Sequence, residues 1–185
     1  MKKLLVSALA ITMMFTACSS GGESPSDNPV YTPGSSSVAS NEKQGKLKAS
    51  VTPAEGWKMS DPEKTQSPTY ACQDTNKSRG ANVILIAVNL PSDMKTLEGY
   101  TNYYLETMKE LYGDGIFTII TKTTVNNALD AIEFSFESPA LAQKKRLIFT
   151  LRDSWVYIIQ CTSRLSDYDK VSADFQAMID TFTLE

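Results

Sequence analysis

The chain contains no histidine. That removes the Ser-His-Asp and Cys-His arrangements of nucleophilic catalysis, histidine-ligated zinc, and the side chain that titrates most readily near neutrality. Glycine-rich phosphate loops of the P-loop or dinucleotide type are missing too. Positive charge is not in excess: 18 Lys and Arg against 21 Asp and Glu give a formal net charge of −3, which argues against nucleic acid as a partner and against a polybasic membrane patch. Beyond the N-terminal segment there is no apolar run long enough to cross a bilayer as a helix. Cysteine is sparse, at Cys18, Cys72 and Cys161. No metal site and no bound cofactor is expected from such a composition. Carboxylates, lysines and tyrosines can still do acid–base work, so the lack of histidine weakens an enzymatic reading without removing it.

What is present begins with Lys2 and Lys3, followed by an apolar run from Leu4 to Ala17. The run is too short to cross a hydrocarbon core of about 30 Å, and it suits a secretory signal. The small residues Thr16 and Ala17 stand just before Cys18. This sequence resembles the lipobox of bacterial lipoproteins, with Phe15 where that motif usually has Leu. The resemblance implies a diacylglyceryl group on the Cys18 thiol and removal of residues 1–17 as a signal peptide. Cleavage would take Lys2 and Lys3 with it and move the formal charge from −3 to −5. The competing reading is a plain secretory peptide with an incidental cysteine, and the segment after Cys18 argues against it. Two or three acyl chains at about 0.8 kcal/mol per buried CH₂ make a stable anchor, whereas one is marginal.

Residues 18–45 hold no Leu, Ile, Met, Phe or Trp and are rich in Ser, Gly and Pro. Such a segment cannot bury enough apolar surface to offset its ordering entropy. It reads as a disordered tether, whose mean span as a flexible coil is about 30 Å. Residues 46–185 then form one domain, large enough for a single core and expected to be a monomer. An exported domain permits disulfides. With Cys18 assigned to lipid, Cys72 and Cys161 are left either to bridge or to remain as two buried thiols.

Hydrophobic periodicity gives the element order. Lys48–Val51 begins a short strand that Pro53 ends. TYACQD at 69–74 reads as a strand, and NVILIAVNL at 82–90 is so continuously apolar that both of its faces are expected to be covered. From Leu97, the positions Tyr100, Tyr104, Met108 and Leu111 make one stripe of an amphipathic helix, with Gly113 placed to end it. FTIITKTTV at 117–125 and LDAIEFSFE at 129–137 flank Asn126-Asn127, and RLIFTLR at 146–152 and WVYIIQCTS at 155–163 flank Asp153-Ser154: two hairpins. A last helix starts near Ser166, where Asp169 suggests a capping box, and carries Val171, Phe175, Met178 and Phe182 on one face. Short hairpin loops force antiparallel neighbours, and each amphipathic helix must cover a sheet face. The fold class predicted is α+β: an antiparallel β-sheet with amphipathic helices packed on it.

At this level the chain resembles the PsbP-like family, which takes in PsbP, Mog and DcrB-like bacterial lipoproteins, over about residues 47–185. The carriers are VTPAEGW, the NLPSDMKTLEGY stretch that leads into a helix, TTVNNALDAIEF, DSWVYIIQCTS and the closing IDTFTL. Asn127 stands where the family often has Gly, and Ala54 is inserted before Gly-Trp. The resemblance implies a domain that works by surface contacts, as an accessory or binding protein, and it carries no catalytic residue over.

Individual candidates are weighed against packing roles. Trp57 could be an aromatic groove contact, but closing one end of the sheet is the expected role. Of Tyr100, Tyr103, Tyr104 and Tyr112, the first and third lie on the core stripe with hydroxyls at its rim, and Tyr103 is expected outside. Glu133, Ser135 and Glu137 alternate onto one strand face. The two carboxylates would lie roughly 13 Å apart, too far for a glycosidase pair, so a solvated face paired with Lys144, Lys145 or Arg146 is expected. Gly113-Asp114-Gly115 lacks the acidic ladder of a calcium loop, and Asn76-Lys77-Ser78 is a glycosylation sequon in pattern only. The functional expectation is a membrane-anchored, extracytoplasmic lipoprotein of the cell envelope that binds an envelope protein partner. The contact surface is sought at Tyr103, Glu106 and Lys109 on the outer helix face and at Arg152 and Asp153 on a hairpin tip. A carrier of a small apolar ligand in a sheet–helix pocket is the alternative, and a hydrolase comes third.

Overall fold

A computed structural model describes residues 48–61, 65, 67–112, 117–125 and 129–185. Cys18 with the signal and tether, Gly113-Asp114-Gly115 and the Asn126-Asn127 turn lie outside them. The strands are β1 (Ala49–Ser50), β2 (Trp57–Met59), β3 (Thr69–Cys72), β4 (Asn82–Asn89), β5 (Phe117–Val125), β6 (Leu129–Ser138), β7 (Gln143–Arg152), β8 (Trp155–Arg164) and β9 (Thr183–Leu184). The helices are α1 (Leu97–Tyr112) and α2 (Tyr168–Asp180). Seven strands form one sheet in the order β2-β3-β4-β8-β7-β6-β5, and β1 pairs with β9 separately. All of these pairings are antiparallel. The α+β class and the order of the longer elements match the expectation; β2 and β9 are additions to it.

The two helices cover opposite faces, as the register requires. Phe149 pairs with Ile132 and with Ile158, while its neighbour Ile148 pairs with Glu133 and Ile159. Successive strand residues point to opposite sides. On one side, Phe149 meets the rings of Tyr100 and Tyr104 from α1, at centroid distances of 6.3 and 5.1 Å, and Tyr104 also meets Phe134. On the other, Ile148, Ile159 and Cys161 share a core with Val171, Phe175, Met178 and Phe182 from α2 and its C-terminal end.

The continuous burial expected of residues 82–90 belongs instead to Leu147–Thr150 and Val156–Ile159, the middle of the sheet. In β4, Val83 and Leu85 are buried beneath α2, but Ile84, Ile86 and Val88 on the α1 side are only partly covered, because α1 packs over β6 and β7. Leu111 falls on the helical stripe, yet it is 57% exposed, where the last turn of α1 outruns its packing.

Local chemistry sets the ends. Thr96 Oγ1 accepts the Gly99 N–H at 3.1 Å, an N-cap for α1. The capping box expected at Ser166 and Asp169 is not formed: a 3₁₀ turn, Leu165–Asp167, leads directly into α2, and no side-chain cap bond is made. A tight turn supplies i→i+3 bonds in place of a side-chain acceptor. At the other end Thr181 Oγ1 donates to the Met178 carbonyl and accepts the Thr52 N–H, each at 2.8 Å, which ties the β1 segment to the end of α2. In the β7–β8 hairpin, Asp153 takes φ of 55°, one of the few residue types that tolerate the left-handed region.

Candidate functional site

α2 lies over β8, and beside it part of the same face of β6 and β7 is left uncovered. A cleft of about 290 Å³ forms there, with Thr123, Glu133, Arg146 and Ile148 on the sheet and Gln176 and Asp180 on α2. Its floor is an ion pair. Arg146 Nε donates to Glu133 Oε1 at 2.6 Å and Nη2 to Oε2 at 3.0 Å, a bidentate geometry with both side chains about one-fifth exposed. Burial works against the Arg146 charge, but the hydrogen bond and the negative charge of Glu133 outweigh it and hold Arg146 above its ordinary pKa. On the wall, Gln176 Nε2 donates to Asp180 Oδ1 at 2.6 Å. Along the same sheet face Lys144 pairs with Glu137 at 2.7 Å and lies 4.5 Å from the centre of the Tyr168 ring.

The Glu133–Ser135–Glu137 face is therefore salt-bridged by Arg146 and Lys144, as expected. Lys145 is not part of it. It lies on the opposite face, paired in register with Phe136 and Thr162, since a shift of one residue along a strand changes sides. Of the described carboxylates lining the cleft, Glu133 is held by Arg146 and Asp180 by Gln176. The polar floor of the cleft also suits a charged or hydrogen-bonding group better than an apolar ligand.

The expected contact residues fall in two places. Tyr103 is 40% exposed on the outer side of α1, and there Lys109 and Glu106 form an i,i+3 ion pair at 2.9 Å. Arg152 and Asp153 are exposed at the tip of the β7–β8 hairpin. That tip and the start of α1 share one end of the sheet, since Leu90, just past β4, donates its N–H to the Ser154 carbonyl at 2.7 Å.

Cys72 and Cys161 are free thiols. Their strands are separated by β4 and their register is offset by two residues along it, so at about 4.8 Å per strand and about 3.3 Å per residue the two Cα atoms are about 12 Å apart, beyond disulfide reach. Burial pushes the Cys161 thiol up to about 12, which suppresses thiolate chemistry.

Trp57 takes the packing role. It is buried, sits edge-on to Phe175 at 5.6 Å, and donates its indole N–H to Asp174 Oδ2 at 2.8 Å. Lys77 Nζ reaches the same carboxylate, 2.7 Å from Oδ1 and 2.6 Å from Oδ2. Asp174 was not singled out from the sequence, although a buried tryptophan next to a helix rich in acids demands an acceptor. The Tyr100 hydroxyl, expected at the rim, is buried without a partner, and burial raises its pKa to about 12. In the sequon, Ser78 is buried and its hydroxyl lies 3.4 Å from Asp167 Oδ2. Among the described residues no three His, Cys, Asp or Glu side chains gather as metal ligands, and no helix is long and apolar enough to cross a membrane.

No family model and no curated protein matches the chain. Among solved structures the chain is similar to the solution structure of cyanobacterial PsbP (CyanoP) from Synechocystis sp. PCC 6803. The TM-score is 0.48 and the identity 10%, over 80% of this chain and 98% of that one. That likeness assigns no role to any residue here.

Proposed function

We propose that this chain is a lipid-anchored, extracytoplasmic binding domain that holds a protein partner at a bacterial cell envelope. The address rests on Lys2-Lys3, the apolar run from Leu4 to Ala17 and Cys18, followed by a Ser/Gly/Pro-rich segment. The motif-level resemblance to PsbP-like accessory domains favours contact over turnover. The structural observation that carries the reading is the separation of roles in α1. Tyr100, Tyr104 and Met108 fill the core, while Tyr103, Glu106 and Lys109 stand on the outer side and contribute nothing to it. An aromatic ring flanked by paired charges on a rigid helix is a surface of the kind partners use.

The test is crosslinking of the intact lipoprotein in its membrane, followed by identification of the captured protein. Alanine at Tyr103, Glu106 and Lys109, or Arg152→Ala with Asp153→Asn, which keeps a residue that tolerates the left-handed backbone, is expected to abolish capture while leaving thermal unfolding unchanged. Capture that survives both sets of substitutions would refute this surface. A reproducible enzymatic turnover by the repurified chain, lost on substitution of Glu133 or Glu137, would refute the non-catalytic reading. The cleft beside α2 keeps the carrier alternative in view only for a polar ligand, because its floor is the Glu133–Arg146 pair.

A further inference from the structure

On the α1 side of the sheet three polar side chains form one row across three adjacent strands. Lys145 of β7 pairs in register with Thr162 of β8, and Thr162 pairs with Asn82 of β4. The row lies on the opposite face from the cleft and is separate from both contact patches.

Each member lacks something. Thr162 is only 7% exposed, and its Oγ1 is buried with no hydrogen-bond partner. Asn82 Oδ1 is likewise buried and unpartnered, while its Nδ2 donates to the Gly80 carbonyl at 3.2 Å. Lys145 has no acidic partner among the described residues, and burial alone holds its ammonium below the ordinary lysine value. Its two neighbours in β7 are matched, Lys144 by Glu137 and Arg146 by Glu133. A buried acceptor left unmade costs about 1–3 kcal/mol, and an uncompensated buried charge costs more. Two such buried polar atoms beside a half-buried cation on adjacent strands make a site prepared for a complementary molecule.

The inventory of donors and acceptors fixes its chemistry. Lys145 can only donate, so it needs an anionic oxygen. Asn82 Oδ1 can only accept, so it needs an O–H or N–H. Thr162 between them can do either. We infer that Lys145, Thr162 and Asn82 form a binding site for a small acid that also carries a hydroxyl or ammonium group. The carboxylate faces Lys145, the hydroxyl or ammonium faces Asn82, and Thr162 bonds to either.

The test is an amide-shift titration of the ¹⁵N-labelled full chain in detergent micelles with glycolate and with glycine. Acetate, which has the carboxylate and no donor, is the reference. Saturable shifts at Asn82, Lys145 and Thr162 are expected with glycolate or glycine, and the responding compound shows which donor is used. Acetate should bind about tenfold more weakly, the loss of one hydrogen bond. Lys145→Met should abolish the response and Thr162→Val should weaken it, while Lys95→Met, at an exposed position, should leave it intact. No saturable shift up to roughly 50 mM, weaker than any useful affinity, would mean that the row is satisfied by water alone and would overturn the proposal. So would equal binding of acetate, or shifts that persist in Lys145→Met.

Discussion

Asp174→Ala is expected to destabilise the domain by about 2–3 kcal/mol, and the structure shows how the cost divides. The Asp174 side chain is 15% exposed and carries two duties, the indole N–H of Trp57 at 2.8 Å and the ammonium of Lys77. The first is a hydrogen bond to a charged acceptor, and alanine would strand a donor that packs beside Phe175. Bonds of this kind are worth about 1.5–3 kcal/mol. The second duty is worth less, because the Lys77 side chain is 34% exposed and solvent screens such pairs to about 1 kcal/mol or below. Asp174→Asn should therefore cost about 1 kcal/mol or less, since its amide oxygen can still accept from Trp57. At about 3–4 °C per kcal/mol for a domain of this size, alanine should lower Tm by roughly 6–12 °C. Urea unfolding followed by tryptophan emission would measure both variants, and Trp57→Phe with Asp174→Ala would close a double-mutant cycle. Equal losses for Asn and Ala would show that charge, not the indole bond, sets the cost. A loss for Ala below about 0.5 kcal/mol, the size of an ordinary surface change, would refute the reasoning.

Other expectations follow from the same geometry. Lys77 has its pKa raised by the Asp174 hydrogen bond, so its pair contributes fully below the unfolded lysine value and is lost as pH rises through the higher folded one; stability measured up the alkaline range should fall in Asp174-containing protein and fall less in Asp174→Asn. Native protein treated with a thiol reagent should protect Cys161, which is buried with its thiol pushed up to about 12, until the chain unfolds; rapid modification in the folded state would contradict that burial. Glu133→Gln should cost about 3 kcal/mol or somewhat less by leaving Arg146 buried without its counter-charge, and chemical denaturation would reveal it. Cys18→Ser should abolish acylation and leave the precursor uncut; mass spectrometry of the N-terminal peptide decides, and an unmodified Cys18 in the wild-type chain would end the lipoprotein reading. A chain started near Gly45 should unfold as cooperatively as the full one, because residues 18–45 carry no core-forming side chains.

Much of the architecture was legible because it is periodic. The stripe Val171, Phe175, Met178 and Phe182 is wholly buried, and the β7–β8 hairpin follows from alternation and a two-residue loop. Of the short elements only β1 was legible, as the strand that Pro53 ends. β2 has three residues with only Trp57 buried, and β9 has two, which leaves no window in which a period can show. Continuous apolarity in residues 82–90 did not reveal which neighbour would cover each face, since that depends on where α1 lands. The outer-face positions Tyr103, Glu106 and Lys109 could be read as the complement of a core stripe. Asp174, the cleft and the Lys145–Thr162–Asn82 row could not, because each is assembled across strands far apart in sequence.

The β1–β9 pair has a mechanical meaning. Lys48 and Glu185 exchange backbone bonds, 2.6 Å from the Lys48 N–H to the Glu185 carbonyl and 3.0 Å in return, and Ala49↔Leu184 and Ser50↔Thr183 continue the ladder. Any pull transmitted through the residues before Lys48 enters the fold at this two-rung strip. If the opposing force is held elsewhere on the domain, the strip takes the load first, and directly behind it Val51, buried in the core beneath α2, and the Thr52–Thr181 bond at the end of α2 take the next.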